Sequence, residues 1–199
     1  GLDGQAPTPP GGSAAFARVD PEAAAARLAE LLRAEDADLL TVYDPTGGYG
    51  HPDHVQVHRV GTRAAEMAGT PVVLEATVDR GLLLRGLRLV ERVYRFPPDF
   101  DRERFETAYA PSDAITHRVR VRRYARAKRA SMAAHATQAT GGDSERTLAA
   151  FLRLPPLLFR FAFGTEWYVQ RGLPPGTTFR HPLASLPRNG PDLPREGRA

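Results

Sequence analysis

The stretch Tyr43–His54 (Tyr-Asp-Pro-Thr-Gly-Gly-Tyr-Gly-His-Pro-Asp-His) constrains this chain more than any other. An apolar run, Leu39–Tyr43, leads into glycines 47, 48 and 50, and Pro52 then opens a segment with helical spacing. The order is therefore strand, glycine-rich loop, helix N-terminus, the junction at which open α/β sheets bind their ligands. Within that loop stand a phenol, two imidazoles and a carboxylate: Tyr49, His51, His54 and Asp53. A histidine at a helix N-terminus feels the positive end of the helix dipole, which favours the neutral imidazole that binds metal. His58 follows His54 by four residues, so both fit on one helical face. Cysteine is absent, which leaves His, Asp and Glu as the only strong metal donors. Spacing alone also fits the plainer reading, in which these histidines cap a helix or lie on its surface and His58 packs. His117, His135 and His181 lie too far along the chain for spacing to recruit them.

Around this junction the chain alternates strands and helices. Asp20-Pro21 is a helix start, an N-cap acceptor followed by a residue whose φ is already set, and Leu28, Leu31 and Leu32 give an apolar stripe to about Ala34. Asp38–Tyr43 is expected as a buried strand. A helix is expected over Pro52–Ala68, with Val57, Val60, Ala64 and Ala68 inward and Gly69 ending it. Further expectations are a strand over Pro71–Val78, a helix over Asp79–Tyr94, an irregular loop over Phe96–Ser112, a strand over Ile115–Val121 and a helix over Arg122–Gln138. Gly141–Ser144 breaks the chain, and a short helix over Glu145–Leu154 follows. Pro155–Phe163 should cover a core, and Glu166–Gln170 should be the last strand. The alternation implies an α/β fold with a largely parallel sheet. From residue 173 onward proline recurs with few apolar residues, so residues 173–199 read as an extended or disordered tail. The Gly/Pro-rich opening, without an initiator Met, reads as a chain cut from something longer.

Composition narrows the function classes. No apolar run approaches the ~20 residues that span a bilayer, and no signal peptide is visible, so a cytoplasmic protein without a membrane partner is expected. The net charge of +4 is carried mainly by arginine, densest over Val119–Arg129. Nucleic-acid binding would need aromatic stacking platforms beside that patch, and Tyr124 alone does not supply them, so no nucleic-acid partner is expected.

The motif Tyr43–His54 resembles a signature of the LmbE/PIG-L-like zinc N-deacetylases, and most closely their mycothiol branch of acetylglucosaminyl-inositol deacetylases and mycothiol S-conjugate amidases. Lys128–Gln138 and Phe163-Gly164-Thr165-Glu166 are similar to the same branch. The resemblance implies a Rossmann-like three-layer sandwich and a Zn2+-dependent amide hydrolase acting on an N-acylated amino sugar or a thiol conjugate. It implies His54 as the metal ligand and His51 as the general acid or electrostatic partner to the tetrahedral intermediate. Asp53 would orient and tune the imidazoles, and Tyr49 would polarise the amide carbonyl. The family's other metal half, a His-Pro-Asp-Asp motif that also supplies the general base, does not occur in this sequence. Residues 1–172 are thus expected to be the C-terminal portion of one deacetylase-like domain whose N-terminal strands are missing, inactive alone. The alternative is a non-catalytic α/β binding domain that has lost the metal. The sequence leaves the oligomeric state open.

Overall fold

The computed structural model describes residues 16–92, 102–135, 151–174 and 176–187. Helix α1, Pro21–Ala34, begins where Asp20 accepts hydrogen bonds from the Glu22 and Ala23 amides. Strand β1 is Leu39–Tyr43, and a single helical turn, α2, Gly47–Gly50, leads to helix α3, Pro52–Ala68. Gly69 ends α3 in the left-handed region, φ 76°, its amide returning to Ala65 O. The expected and observed bounds of α3 coincide because both ends are set by local signals, a proline at N1 and a glycine C-cap.

α1 and α3 enclose the main core. Ala25, Ala29 and Leu32 of α1 meet Val60 and Ala64 of α3, with Leu28, Leu40 and Met67 against them. Leu31, expected in the inward stripe, is 61% exposed. The alanines let the two helices approach closely, so the contact face is rotated toward the small residues. At Gly61 a Cβ would collide with Val42 Cγ1, so the glycine sets how near α3 lies to β1.

Strand β2, Val72–Thr77, pairs in parallel with β1, Leu39 opposite Val72 and Tyr43 opposite Ala76. This β1–α3–β2 unit is the crossover the alternation predicts. Helix α4, Arg80–Val90, is capped by Asp79, whose Oδ1 accepts from Leu82 N at 3.1 Å. The expected irregular loop contains a short helix, α5, Arg102–Thr107. Strand β3 is His117–Arg120, followed by a 3-10 turn, Arg122–Tyr124, and helix α6, Ala125–Ala134. Helix α7, Pro156–Ala162, precedes strand β4, Thr165–Val169. The expected break at Gly141–Ser144 lies outside the described residues.

The sheet order is β1-β2-β4-β3, and the expectation of a largely parallel sheet is corrected to a mixed one. β4 runs antiparallel to both β2 and β3. The cause is where the chain re-enters: Val121 N donates to Gly164 O at 2.9 Å, so β4 starts at the end of the sheet where β3 finished. A return to the same end gives an antiparallel pair, and helix–strand alternation carries no information about that. Beyond β4, Phe179 bridges to His117 on the outer side of β3, and Pro182–Ser185 forms a 3-10 turn. α7, expected to cover a core, buries Phe159 but leaves Leu157, Leu158 and Phe161 exposed. No described helix is long and apolar enough to cross a membrane.

Candidate active-site loop

The loop after β1 is built around a buried carboxylate. Asp44, 4% exposed, accepts from Gly48 N and Thr46 Oγ1 at 2.8 Å each through Oδ1, and from Thr77 Oγ1 at 2.7 Å through Oδ2. The chain turns through Gly47, Gly48 and Gly50 at φ 67°, 67° and 88°. At Gly47 a side chain is barred twice, because a Cβ would also lie 2.9 Å from Val55 N. This close approach brings the Gly47 carbonyl over the first turn of α3.

His54 is fixed from two sides. Its Nδ1 lies 3.2 Å from Gly47 O, and because a carbonyl only accepts, Nδ1 carries the proton and Nε2 the lone pair. The Tyr43 ring stacks on the imidazole at 3.8 Å between centroids and 7° between planes. Burial holds the His54 pKa below the usual histidine value; the Gly47 carbonyl opposes this and His51 adds to it. Neutral imidazole with a directed Nε2 lone pair is the donor that zinc takes.

His51 caps α3. Its Nδ1 accepts from Asp53 N at 3.2 Å, so the neutral ring carries its proton on Nε2, and its centroid lies 4.8 Å from that of His54. Asp53 Oδ1 accepts from Ala17 N at 3.0 Å, tying the loop to the 3-10 turn Phe16–Arg18, while Oδ2 stands 4.0 Å from His51 Nδ1, beyond hydrogen-bond reach. Tyr49 belongs to α2, and its side chain lies outside the described residues. His58 does not turn toward His54. Its Nδ1 donates to Tyr43 O at 3.0 Å and lies 3.8 Å from Glu75 Oε1 on β2.

The remaining histidines are elsewhere. His117 is fully buried, its pKa lowered by that burial, with Nδ1 2.9 Å from Thr116 Oγ1 and the Phe179 ring beside it. His135 Nδ1 meets Ser131 O at the end of α6, and His181 Nδ1 accepts from Leu183 N. No three His, Asp or Glu side chains among the described residues are grouped to hold a metal ion.

Sequence reasoning missed Asp44 and Glu75. Asp44 precedes Pro45 and reads as a turn residue, and its partner Thr77 is 33 positions away. Glu75 sits inside an apolar strand with no local sign of the arginine it meets. The two later segments of the resemblance do come together: Lys128 Nζ donates to Glu166 Oε1 at 2.7 Å, and Tyr168 OH donates to Oε2 at 2.9 Å. Part of the arginine patch is structural too, since Arg129 donates to the Leu152 and Leu154 carbonyls and lies over the Phe159 ring.

No protein-family profile matches the chain. It is 34% identical over 77% of its length to a 1D-myo-inositol 2-acetamido-2-deoxy-alpha-D-glucopyranoside deacetylase of Streptomyces scabiei, covering 51% of that protein. A protein of the same description from Thermomonospora curvata is 33% identical over 77% of the chain and 54% of its own length. Another from Acidothermus cellulolyticus is 32% identical over 78% and 52%. The chain spans about half the length of these curated relatives.

Proposed function

Because the chain belongs to the LmbE/PIG-L-like deacetylases, in the mycothiol branch that its loop resembles, we propose that it carries the histidine half of an active site that removes the acetyl group from an N-acetyl amino sugar linked to inositol. The observation that supports this reading is His54, whose Nδ1–H bond to Gly47 O fixes the tautomer with the lone pair on Nε2. Metal ligands in enzymes are oriented by such a bond from the other ring nitrogen. The donor fits zinc as one ligand of a set, and the remaining ligands and the general base come from residues outside this sequence. Zinc, when bound, supplies Lewis acidity and an activated water.

The chain's own residues divide the remaining work. His51 gives an Nε2 proton to the leaving amine from its doubly protonated ring and returns to neutral imidazole. The Asp53 carboxylate, 4.0 Å from Nδ1, is placed to hold the second proton once Nδ1 no longer accepts from the Asp53 amide. Asp53 ties the first turn of α3 to the Phe16–Arg18 turn and keeps a carboxylate near His51 Nδ1. Tyr49 donates to the developing oxyanion. The gene product is read as cytoplasmic, with a Rossmann-like sandwich as its complete fold. Residues 1–172 form the C-terminal portion of that domain, and 173–199 a Pro-rich segment of which Phe179 pairs along the outer side of β3. Further strands would pair along β1, which is an edge of the sheet among the described residues. This polypeptide alone does not turn over substrate.

The test is a chimera that joins this chain to the N-terminal half of the Streptomyces scabiei relative. With zinc it should release acetate from an N-acetylglucosaminyl-inositol, while the chain alone does not. A well-folded, zinc-loaded chimera that releases none refutes the reading and favours a binding domain.

A further inference from the structure

Beside the glycine loop lies a cavity of about 250 Å³, bounded by Thr46 of the loop, Glu75 of β2, Ala110 and Pro111, and Val169 and Arg171 at the end of β4. None of these residues has a role in the chemistry above. Ligand pockets for drug-sized molecules are about 300–1,000 Å³, so this one suits a single small ring.

Its walls have a definite chemistry. Glu75 is 4% exposed, and buried carboxylates are ordinarily satisfied by hydrogen bonds. Glu75 Oε1 accepts none among the described residues. Arg171 Nε lies 2.8 Å from it, a charge contact without hydrogen-bond alignment, and the nearby His58 Nδ1 is directed to Tyr43 O. Asp44, the other carboxylate of the cavity, is committed to Gly48, Thr46 and Thr77. The cavity therefore offers one buried acceptor and one guanidinium whose side chain is 67% exposed, with Thr46 and Tyr109 beside proline, alanine and valine in its walls. The paired charges cancel, which selects against an ion. Hydroxyls can donate to the carboxylate and accept from the guanidinium, while the C–H face of a ring rests on the apolar residues.

We propose that this cavity binds one uncharged polyhydroxylated ring, with Glu75 accepting and Arg171 donating hydrogen bonds to its hydroxyls. The inference deepens the deacetylase reading and rests on it for the natural ligand: the ring would be the part of the substrate that does not carry the acetamide. Burial raises the Glu75 pKa while Arg171 and His58 lower it, so the carboxylate is more basic than an exposed one and a stronger acceptor.

The experiment is a titration of the isotope-labelled 199-residue chain with myo-inositol, without metal, followed by amide chemical shifts. Shifts are expected at Thr46, Ala110 and Val169. Affinity should fall about tenfold, the loss of one charge-assisted hydrogen bond, in Glu75→Gln and in Arg171→Ala. Arg171 is exposed, so its variant should keep the wild-type spectrum elsewhere. No shift at these amides, wild-type affinity in both variants, or acetate displacing myo-inositol from the same amides overturns the proposal. The measurement involves neither zinc nor hydrolysis. An active chimera whose cavity ignores myo-inositol thus removes this proposal alone, and an inactive chimera whose cavity binds it removes only the deacetylase reading.

Discussion

His54 owes its orientation to Gly47 more than to any side chain, because the carbonyl that holds its Nδ1 can approach only where no Cβ intervenes. Gly47→Ala combines a strained φ of 67° with a clash against Val55 N. It should cost about 1–3 kcal/mol of stability in urea denaturation, and zinc affinity should fall in a metal-loaded chimera. An unchanged midpoint and affinity would mean that the loop has another way to hold the ring. The residue types of this loop were legible in the sequence, since His51, Asp53 and His54 stand together with the glycines that shape them. Their bonding was not. Asp53 reaches back 36 residues to Ala17, and Asp44 reaches forward 33 to Thr77, separations over which spacing says nothing.

At the scale of elements, legibility followed the range of the deciding interaction. The α3 boundaries are local, so the sequence sufficed; the direction of β4 depends on where a long connection returns, so it did not. The buried face of α1 turns on Ala25 and Ala29 and not on Leu31, because small residues let two helices touch. The same reasoning applies to Gly61, which sits against Val42. Gly61→Ala should push α3 off β1 and destabilise the chain by about 1–3 kcal/mol, measured by thermal or urea unfolding. A stabilised variant would show that the two elements have slack. Between α6 and β4, burial alone would raise the Glu166 pKa, but hydrogen bonds from Lys128 and Tyr168 overcome it and hold the carboxyl below 4.5. A depressed folded-state pKa contributes stability above the unfolded value and loses it as pH falls. The pair is partly exposed, so Glu166→Gln should cost about 1 kcal/mol or less at pH 7. That cost should disappear well below pH 4.5, as urea denaturation at two pH values would show. A cost that persists in acid would assign the effect to packing.

For the whole molecule, burial pulls the pKa of His54 and of His117 below the ordinary 6.5. The unfolded chain therefore takes up protons before the folded one, and stability should fall as pH drops through 6.5. Glu75 acts in the opposite sense, since its raised folded-state pKa favours folding most below 4.5, too low to offset the histidines near pH 6. The melting temperature should decline between pH 7 and pH 5.5, and a flat or rising profile would contradict the neutral state of the half-buried His54 and buried His117 rings. An α/β fold could be read from alternation, though not its mixed sheet, and the residues of the proposed half-site from their motif. What joins them could not, because the cavity of Glu75 and Arg171 is assembled from β2 and the end of β4, and neither strand shows it alone.

The central claim is that this chain supplies one metal ligand, His54, beside a separate proton donor, His51. Its most direct test is zinc content by elemental analysis of the chimera, alongside acetate release, for the two alanine variants. His54→Ala should lose its zinc, whereas His51→Ala should keep it and lose about two to four orders of magnitude in kcat. Zinc retained by His54→Ala, or lost with His51→Ala, would contradict the account.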